Sequence, residues 1–313
     1  MSQPLPAGEH AAGWPATHPA DAHDPRLAPY RSVRDADLRG RDGLCCIETA
    51  RVVGRFLAGW ARARDAGRAA AFGCEPVSVL CDRRTLPVLQ PMLDRVPGVT
   101  VFVAPDADAV TAISGYELHS GALAIGRRLP EPGIEALATH HGTIAACDGI
   151  VHTDNIGAIF RNAASFGAAG VLLSPHSSDP LLRKTVRVAM GRVFDVPWAR
   201  SVNWPDDLRT LRERHGFRIV AAEDTPNAVD VADLPRAERT VVVFGAEAAG
   251  VSRAVLDMAD AVARIPMSTL GGALHDDPPS LNVAVASAVM LDRLCVREEH
   301  RGTPPGNTAG RPR

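Results

Sequence analysis

Between residues 143 and 266 short apolar runs alternate with stretches of helical spacing. The runs at 143–147, 170–174, 217–222, 240–244 and 261–266 predict strands bounded by turn-forming residues. The run at 240–244 is almost wholly β-branched, as expected of a strand buried on both faces. Helical spacing predicts helices over 155–166, 180–190, around Leu208, over 252–259 and over 280–296. Asp154 or Asn155 is placed to cap the first and Ser280 the last. The last helix is apolar on nearly every side, so it belongs in a core or against a second subunit. Repeated strand–helix alternation predicts a parallel sheet with helices on both faces.

Upstream the pattern is shorter. Residues 44–60 read as an amphipathic helix with Ile47, Val52, Phe56 and Leu57 inward and Arg51 and Arg55 outward. Strands are predicted over 76–81, 99–103 and 122–126, and the Pro- and Gly-rich 126–133 ends the run. The chain of 313 residues therefore divides into a small α/β domain at 29–128, a linker at 129–142 and a second domain at 143–297. Residues 1–28 and 298–313 lack the large apolar side chains needed to offset ordering entropy and read as disordered tails.

Composition narrows the class. A net charge of -2 announces no global field for a polyanion. Lys184 is the only lysine, and every other basic side chain is arginine; GC-rich codon usage is the plain explanation. The six cysteines show no C-x-x-C pair and no zinc-finger spacing, so no metal is expected. Reduced thiols, the lack of a signal pattern and the lack of a membrane-length apolar run predict a soluble cytoplasmic protein that makes no membrane contact.

Polar residues interrupt the apolar pattern at three strand ends, where open α/β sheets bind ligands. Asn155, Gly157 and Arg161 follow the first strand of the second domain. Gly245, Glu247 and Gly250 follow the fourth. Ile265, Pro266 and Met267 end the fifth, with Ser280, Leu281 and Asn282 further on. A P-loop is excluded because Val251 stands where its lysine belongs, and no G-x-G-x-x-G follows a strand. Asn282, on an apolar helix, must find a partner, because burying an unpaired amide costs roughly 1–3 kcal/mol.

Taken in order, the three motifs resemble the SPOUT superfamily, specifically the SpoU/TrmH-type RNA ribose 2′-O-methyltransferases, over about residues 143–297. N-x-G-x-x-x-R matches Asn155, Gly157 and Arg161. G-x-E-x-x-G matches Gly245, Glu247 and Gly250. I-P-M and S-L-N-V match Ile265–Met267 and Ser280–Val283. The resemblance implies a deep trefoil knot cradling S-adenosylmethionine, held by Phe244, Gly245, Gly250, Ile265, Met267 and Leu281. It implies a catalytic set of Arg161, Asn155, Glu247, Ser280 and Asn282. It also implies a homodimer through the last helix and a ribosomal-protein-like RNA-binding first domain.

Ribosomal RNA is the favoured substrate. Transfer RNA, or a non-catalytic RNA-binding role for the same fold, remain the alternatives. Arg51, Arg55, Arg62, Arg127, Arg128, Arg183, Arg187 and Arg192 are candidates for an RNA path. Two departures stand out. Ala189 replaces a serine usual in the family, and twelve residues (268–279) separate Met267 from Ser280 where a shorter connection is usual. That insert reads as a surface bulge or a substrate-selecting lid.

Overall fold

The computed structural model describes residues 17–21, 23–31, 35, 38–39, 43–115, 121–267 and 280–296. The first lobe runs β1 (Thr17–Pro19), β2 (Leu44–Glu48), α1 (Ala50–Asp65), β3 (Cys74–Asp82), α2 (Leu86–Leu93), β4 (Thr100–Ala104), α3 (Ala107–Ser114) and β5 (Ala122–Arg128). Its sheet has the order β1-β4-β3-β5-β2, with β5 antiparallel to both neighbours. After α4 (Glu135–Ala138), the second lobe runs β6 (Gly142–Asp148), α5 (Thr153–Phe166), β7 (Gly170–Leu173), α6 (Arg183–Val188), β8 (Trp198–Arg200), α7 (Asp206–His215) and β9 (Arg218–Ala222). It continues with β10 (Val229–Asp230), β11 (Arg239–Gly245), α8 (Arg253–Leu256), β12 (Ala261–Arg264) and α9 (Val283–Leu294). Its sheet is wholly parallel, in the order β10-β12-β9-β11-β6-β7-β8.

Period-2 alternation explains the layering. Ile144, Val241 and Val243 pack on one face with Leu208, Leu211 and Phe217. Ala145, Cys147, Val242 and Phe244 face the other way, toward Ile156, Phe160, Met290 and Leu291. Strand order reverses between β6, which continues to β7, and β11. That is the switch point where an open parallel sheet leaves a crevice at its carboxyl edge.

The lobes share one core. Phe56 of α1 lies 4.7 Å, centroid to centroid, from Phe194 of the second lobe, and Phe72 stacks on the same ring. Arg128 pairs with the buried Asp179 at 2.7 Å, and Arg183 with the buried Glu48 at 3.0 Å. Residues 129–142 are accordingly more than a linker, since α4 buries Leu137.

Several expectations are corrected. Residues 44–48 form β2 rather than the start of a helix, because they pair antiparallel with β5. The tail expected to residue 28 carries β1 on β4 and buries Leu27, while Tyr30 reaches Ser78 at 2.6 Å. His152, not Asp154 or Asn155, holds the cap position of α5. Asn282 rather than Ser280 caps α9. Residues 268–279, through which the implied knot and the lid reading both run, lie outside the described residues, as do 1–16 and 298–313.

Candidate active site

Asn155 sits in the first turn of α5, behind the carboxyl end of β6. Glu247 lies in the turn after β11, and Asn282 immediately before α9. The three meet. One carboxylate oxygen of Glu247 accepts Nδ2–H from Asn155 at 2.8 Å and from Asn282 at 2.8 Å. Asn282 Nδ2 also lies 3.2 Å from Asn155 Oδ1. The Asn282 Oδ1 accepts the Ala284 amide at 2.9 Å, so one side chain both caps α9 and joins the cluster. Asn155 is buried and Glu247 keeps one side open. The second Glu247 oxygen faces His152 Nε2 at 3.7 Å.

The turn carrying Glu247 is held by backbone. Gly250 N–H donates to the Ala246 carbonyl at 2.8 Å. The Val251 amide donates to Glu223 at 2.7 Å and the Ser252 amide to Asp148 at 2.9 Å. Glu223 follows β9 and Asp148 ends β6, so carboxylates from both neighbouring strands tie the turn down. A Cβ on Gly245 would stand 2.0 Å from the Gly250 carbonyl carbon, so only glycine fits. Gly157 is similarly constrained: a Cβ there would lie 2.8 Å from Val188, so its absence lets α6 pack closely on α5.

Arg161 lies about one and a half turns beyond Asn155. It is exposed, and its guanidinium has no hydrogen bond or ion pair among the described residues. The next residue, Asn162, ties α5 to α9 by donating to the Ala284 carbonyl at 2.7 Å and to Ser287 at 2.9 Å. The Phe244 side chain is core, leaving only its backbone for a ligand. Ile265 and Met267 follow β12 on the same carboxyl edge. Met267 and Leu281 expose 37% and 38% of their surface, and Leu281 directly precedes Asn282 of the polar cluster. Ser280 is exposed and joins no hydrogen bond of the cluster.

Of the predicted residues, the structure thus brings Asn155, Glu247 and Asn282 into contact. Gly245 and Gly250 form the turn beneath them, and Arg161 stands apart. Sequence reasoning missed His152, Glu223 and Asp148. An acidic residue at or just after the end of an apolar strand was the available signal for the last two. No group of acidic, histidine or cysteine side chains suited to a metal exists among the described residues.

The arginines chosen as an RNA path are mostly engaged within the protein. Arg55, Arg62 and Arg192 converge on Asp195, and Arg183 and Arg187 on Glu48. Arg128 meets Asp179, and Arg127 meets Glu75. Arg51 alone of the eight has no ion pair among the described residues.

Residues 142–292 match the model of the SpoU rRNA methylase family. An uncharacterized tRNA/rRNA methyltransferase of Mycobacterium bovis is 34% identical over 289 residues, covering 90% of this chain and 92% of its own length. The structure is similar to the AdoMet-bound rRNA methyltransferase from Sinorhizobium meliloti. There the TM-score is 0.69 at 23% identity, with 88% of this chain and 96% of that one covered. It is also similar to the SpoU methyltransferase AviRb from Streptomyces viridochromogenes in complex with AdoMet, with a TM-score of 0.64 at 21% identity over 86% and 95% of the two chains. At those identities the structural likenesses establish the fold. The near full-length relative together with the family model establishes the rest: the chain belongs to the SpoU rRNA methylase family.

Proposed function

We propose that the chain transfers the methyl group of S-adenosylmethionine to a ribose 2′-hydroxyl of ribosomal RNA. The observation that carries this reading is the convergence of Asn155 and Asn282 on Glu247 at the sheet's switch point, with the unpartnered Arg161 on the same helix as Asn155.

The residues present fit an adenosyl ligand. The Gly245–Val251 backbone offers polar groups, and Ile265, Met267 and Leu281 offer apolar surface at the same edge. S-adenosylmethionine would bring an already activated methyl group, so the protein's task is alignment and charge management. A guanidinium group is a poor general base, and Arg161 is assigned no proton-accepting role. It is therefore assigned to gripping a substrate phosphate with its planar fork and stabilising negative charge developing on the 2′-oxygen, whose proton would pass to water as the methyl–oxygen bond forms and the methyl–sulfur bond breaks. Asn155, Glu247 and Asn282 lock the turn and α9 in place beneath it. The exposed Ser280 hydroxyl is available to the nucleotide. Transfer RNA is the alternative substrate, and a non-catalytic RNA-binding factor the alternative class. Isothermal titration of the full-length protein with S-adenosylmethionine separates enzyme from binding factor: one saturable site is expected, and no heat of binding would overturn the catalytic reading.

A homodimer through α9 belongs to the same proposal. Val283, Met290, Leu291 and Leu294 face inward, while Val285 on the helix and Val296 just past its end remain half exposed. Val285→Glu is expected to convert a sedimenting dimer to monomer, and an unchanged sedimentation coefficient would contradict this assignment.

A further inference from the structure

We infer that the seam between the two lobes is a binding site for the phosphodiester backbone of RNA, built by Arg51, Arg55 and Arg62 of α1 with Arg192 of the second lobe. The inference rests on the reading of the chain as an RNA methyltransferase and adds where the RNA lies.

The positions 51, 55, 58 and 62 are spaced i, i+4, i+7 and i+11, so they share one face of α1. Arg51 to Arg62 spans about 16 Å at 1.5 Å per residue. One strand of a nucleic-acid duplex carries roughly five phosphates over that length, at 3.4 Å each. Ala58, in the middle, leaves a low floor. With Arg192 and Asp195 the face encloses a shallow open depression of about 530 Å³.

The charge balance favours an anion. Arg55, Arg62 and Arg192 share the single carboxylate of Asp195, at 3.2, 2.7 and 2.8 Å. Four guanidiniums against one carboxylate leave a local excess of three positive charges in a chain whose net charge is -2. Burial pulls the Arg55 guanidinium below its ordinary value, Asp195 opposes that, and Arg192, Arg51 and Arg62 add to the downward pull. Cations crowded beyond the capacity of their carboxylate are relieved by a polyanion. Joining the lobes would not by itself require Arg51, which is exposed and has no ion pair among the described residues.

The seam leads to the candidate active site. Glu48, two residues before α1, holds Arg183 and Arg187 of α6, and Arg187 is half exposed. That helix packs on α5 at Gly157, between Asn155 and Arg161. A strand laid along α1 is thereby directed across α6 toward the helix bearing Arg161.

The test is binding of a mixed-sequence 30-nucleotide RNA to the full-length protein, followed by fluorescence anisotropy across a NaCl series. Each lost phosphate contact lowers the slope of log affinity against log salt by about 0.7–0.9. Arg51→Gln is expected to reduce the slope by about one and affinity at 0.1 M salt by roughly fivefold, with Arg51→Glu weaker still. Arg214→Gln, an exposed arginine on α7 outside the seam, serves as control and is expected to match wild type. Both Arg51 variants should keep the wild-type melting temperature and S-adenosylmethionine affinity. An unchanged slope and affinity in both Arg51 variants would overturn the seam while leaving the methyltransferase reading standing. Equal losses in the Arg51 and Arg214 variants would overturn it too, as would competition by polyglutamate as strong as by RNA of equal charge. A wild-type protein without RNA affinity would remove both readings together.

Discussion

Arg161→Ala is expected to slow methyl transfer to ribosomal RNA by about 10²–10³-fold, the usual loss when one preorganised charge-stabilising group is removed from an active site. Affinity for S-adenosylmethionine should stay near wild type, because the Arg161 guanidinium makes no hydrogen bond or ion pair with the Gly245–Gly250 turn or with the Asn155–Glu247–Asn282 cluster among the described residues. The melting temperature should also hold, since an exposed, unpaired arginine contributes little to folding. Arg161→Lys divides charge from shape. Lysine keeps the positive charge but loses the planar fork that matches phosphate bidentately. A partial loss, on the order of tenfold, is the expected single-turnover result. Near-wild-type turnover by the lysine variant would remove the role assigned to fork geometry, and a near-wild-type alanine variant would remove Arg161 from the chemistry altogether.

Gly245→Ala should abolish cofactor binding rather than slow a step after it. The added methyl would stand 2.0 Å from the Gly250 carbonyl carbon and 2.1 Å from the Val251 nitrogen. Both are backbone atoms, so no rotamer change relieves the clash and the turn must open. Opening it breaks the Gly250–Ala246 hydrogen bond and pulls Val251 and Ser252 from Glu223 and Asp148. Overpacking of this kind costs about 1–3 kcal/mol, and the severed hydrogen bonds add to it, so a loss of about 2–4 kcal/mol in urea unfolding is expected. Gly133→Ala is the matched control, since nothing lies within 4 Å of a Cβ at that position. Retained S-adenosylmethionine binding by Gly245→Ala would show that the turn is not part of the cofactor site.

The contrast between Arg161 and Gly245 reflects what a single sequence carries. Asn155, Glu247 and Asn282 were legible because each is polar within an apolar stretch, and a buried amide or carboxylate needs a partner. Their convergence on one carboxylate oxygen was not legible, since 127 residues separate Asn155 from Asn282. Five of the seven strands of the second lobe were visible because buried parallel strands are continuous apolar runs, whereas β8 and β10, at the two sheet edges, are too short to leave such a run.

The first lobe was harder. Leu44, Cys45, Cys46 and Ile47 continue into a helical pattern, and a short apolar run has no period of its own. Pairing with β5, more than 70 residues away, makes it a strand, and Thr49 at φ 75 marks the break before α1. Leu27 and Tyr30 are two apolar side chains in a segment rich in Pro and Ala, and only the fold reveals that both are buried. The arginines could be picked out as a set, but not their carboxylates, because Glu48, Asp179 and Asp195 are brought to them by the packing of the two lobes.

The central claim is that this site methylates a ribose oxygen. The most direct measurement incubates the full-length protein and methyl-labelled S-adenosylmethionine with ribosomal RNA from a strain lacking the gene. The RNA is then digested to nucleosides for mass spectrometry. The account predicts label in a single 2′-O-methylnucleoside, lost with Arg161→Ala. Label in a base-methylated nucleoside, or cofactor bound with no transfer to ribosomal RNA, would contradict it.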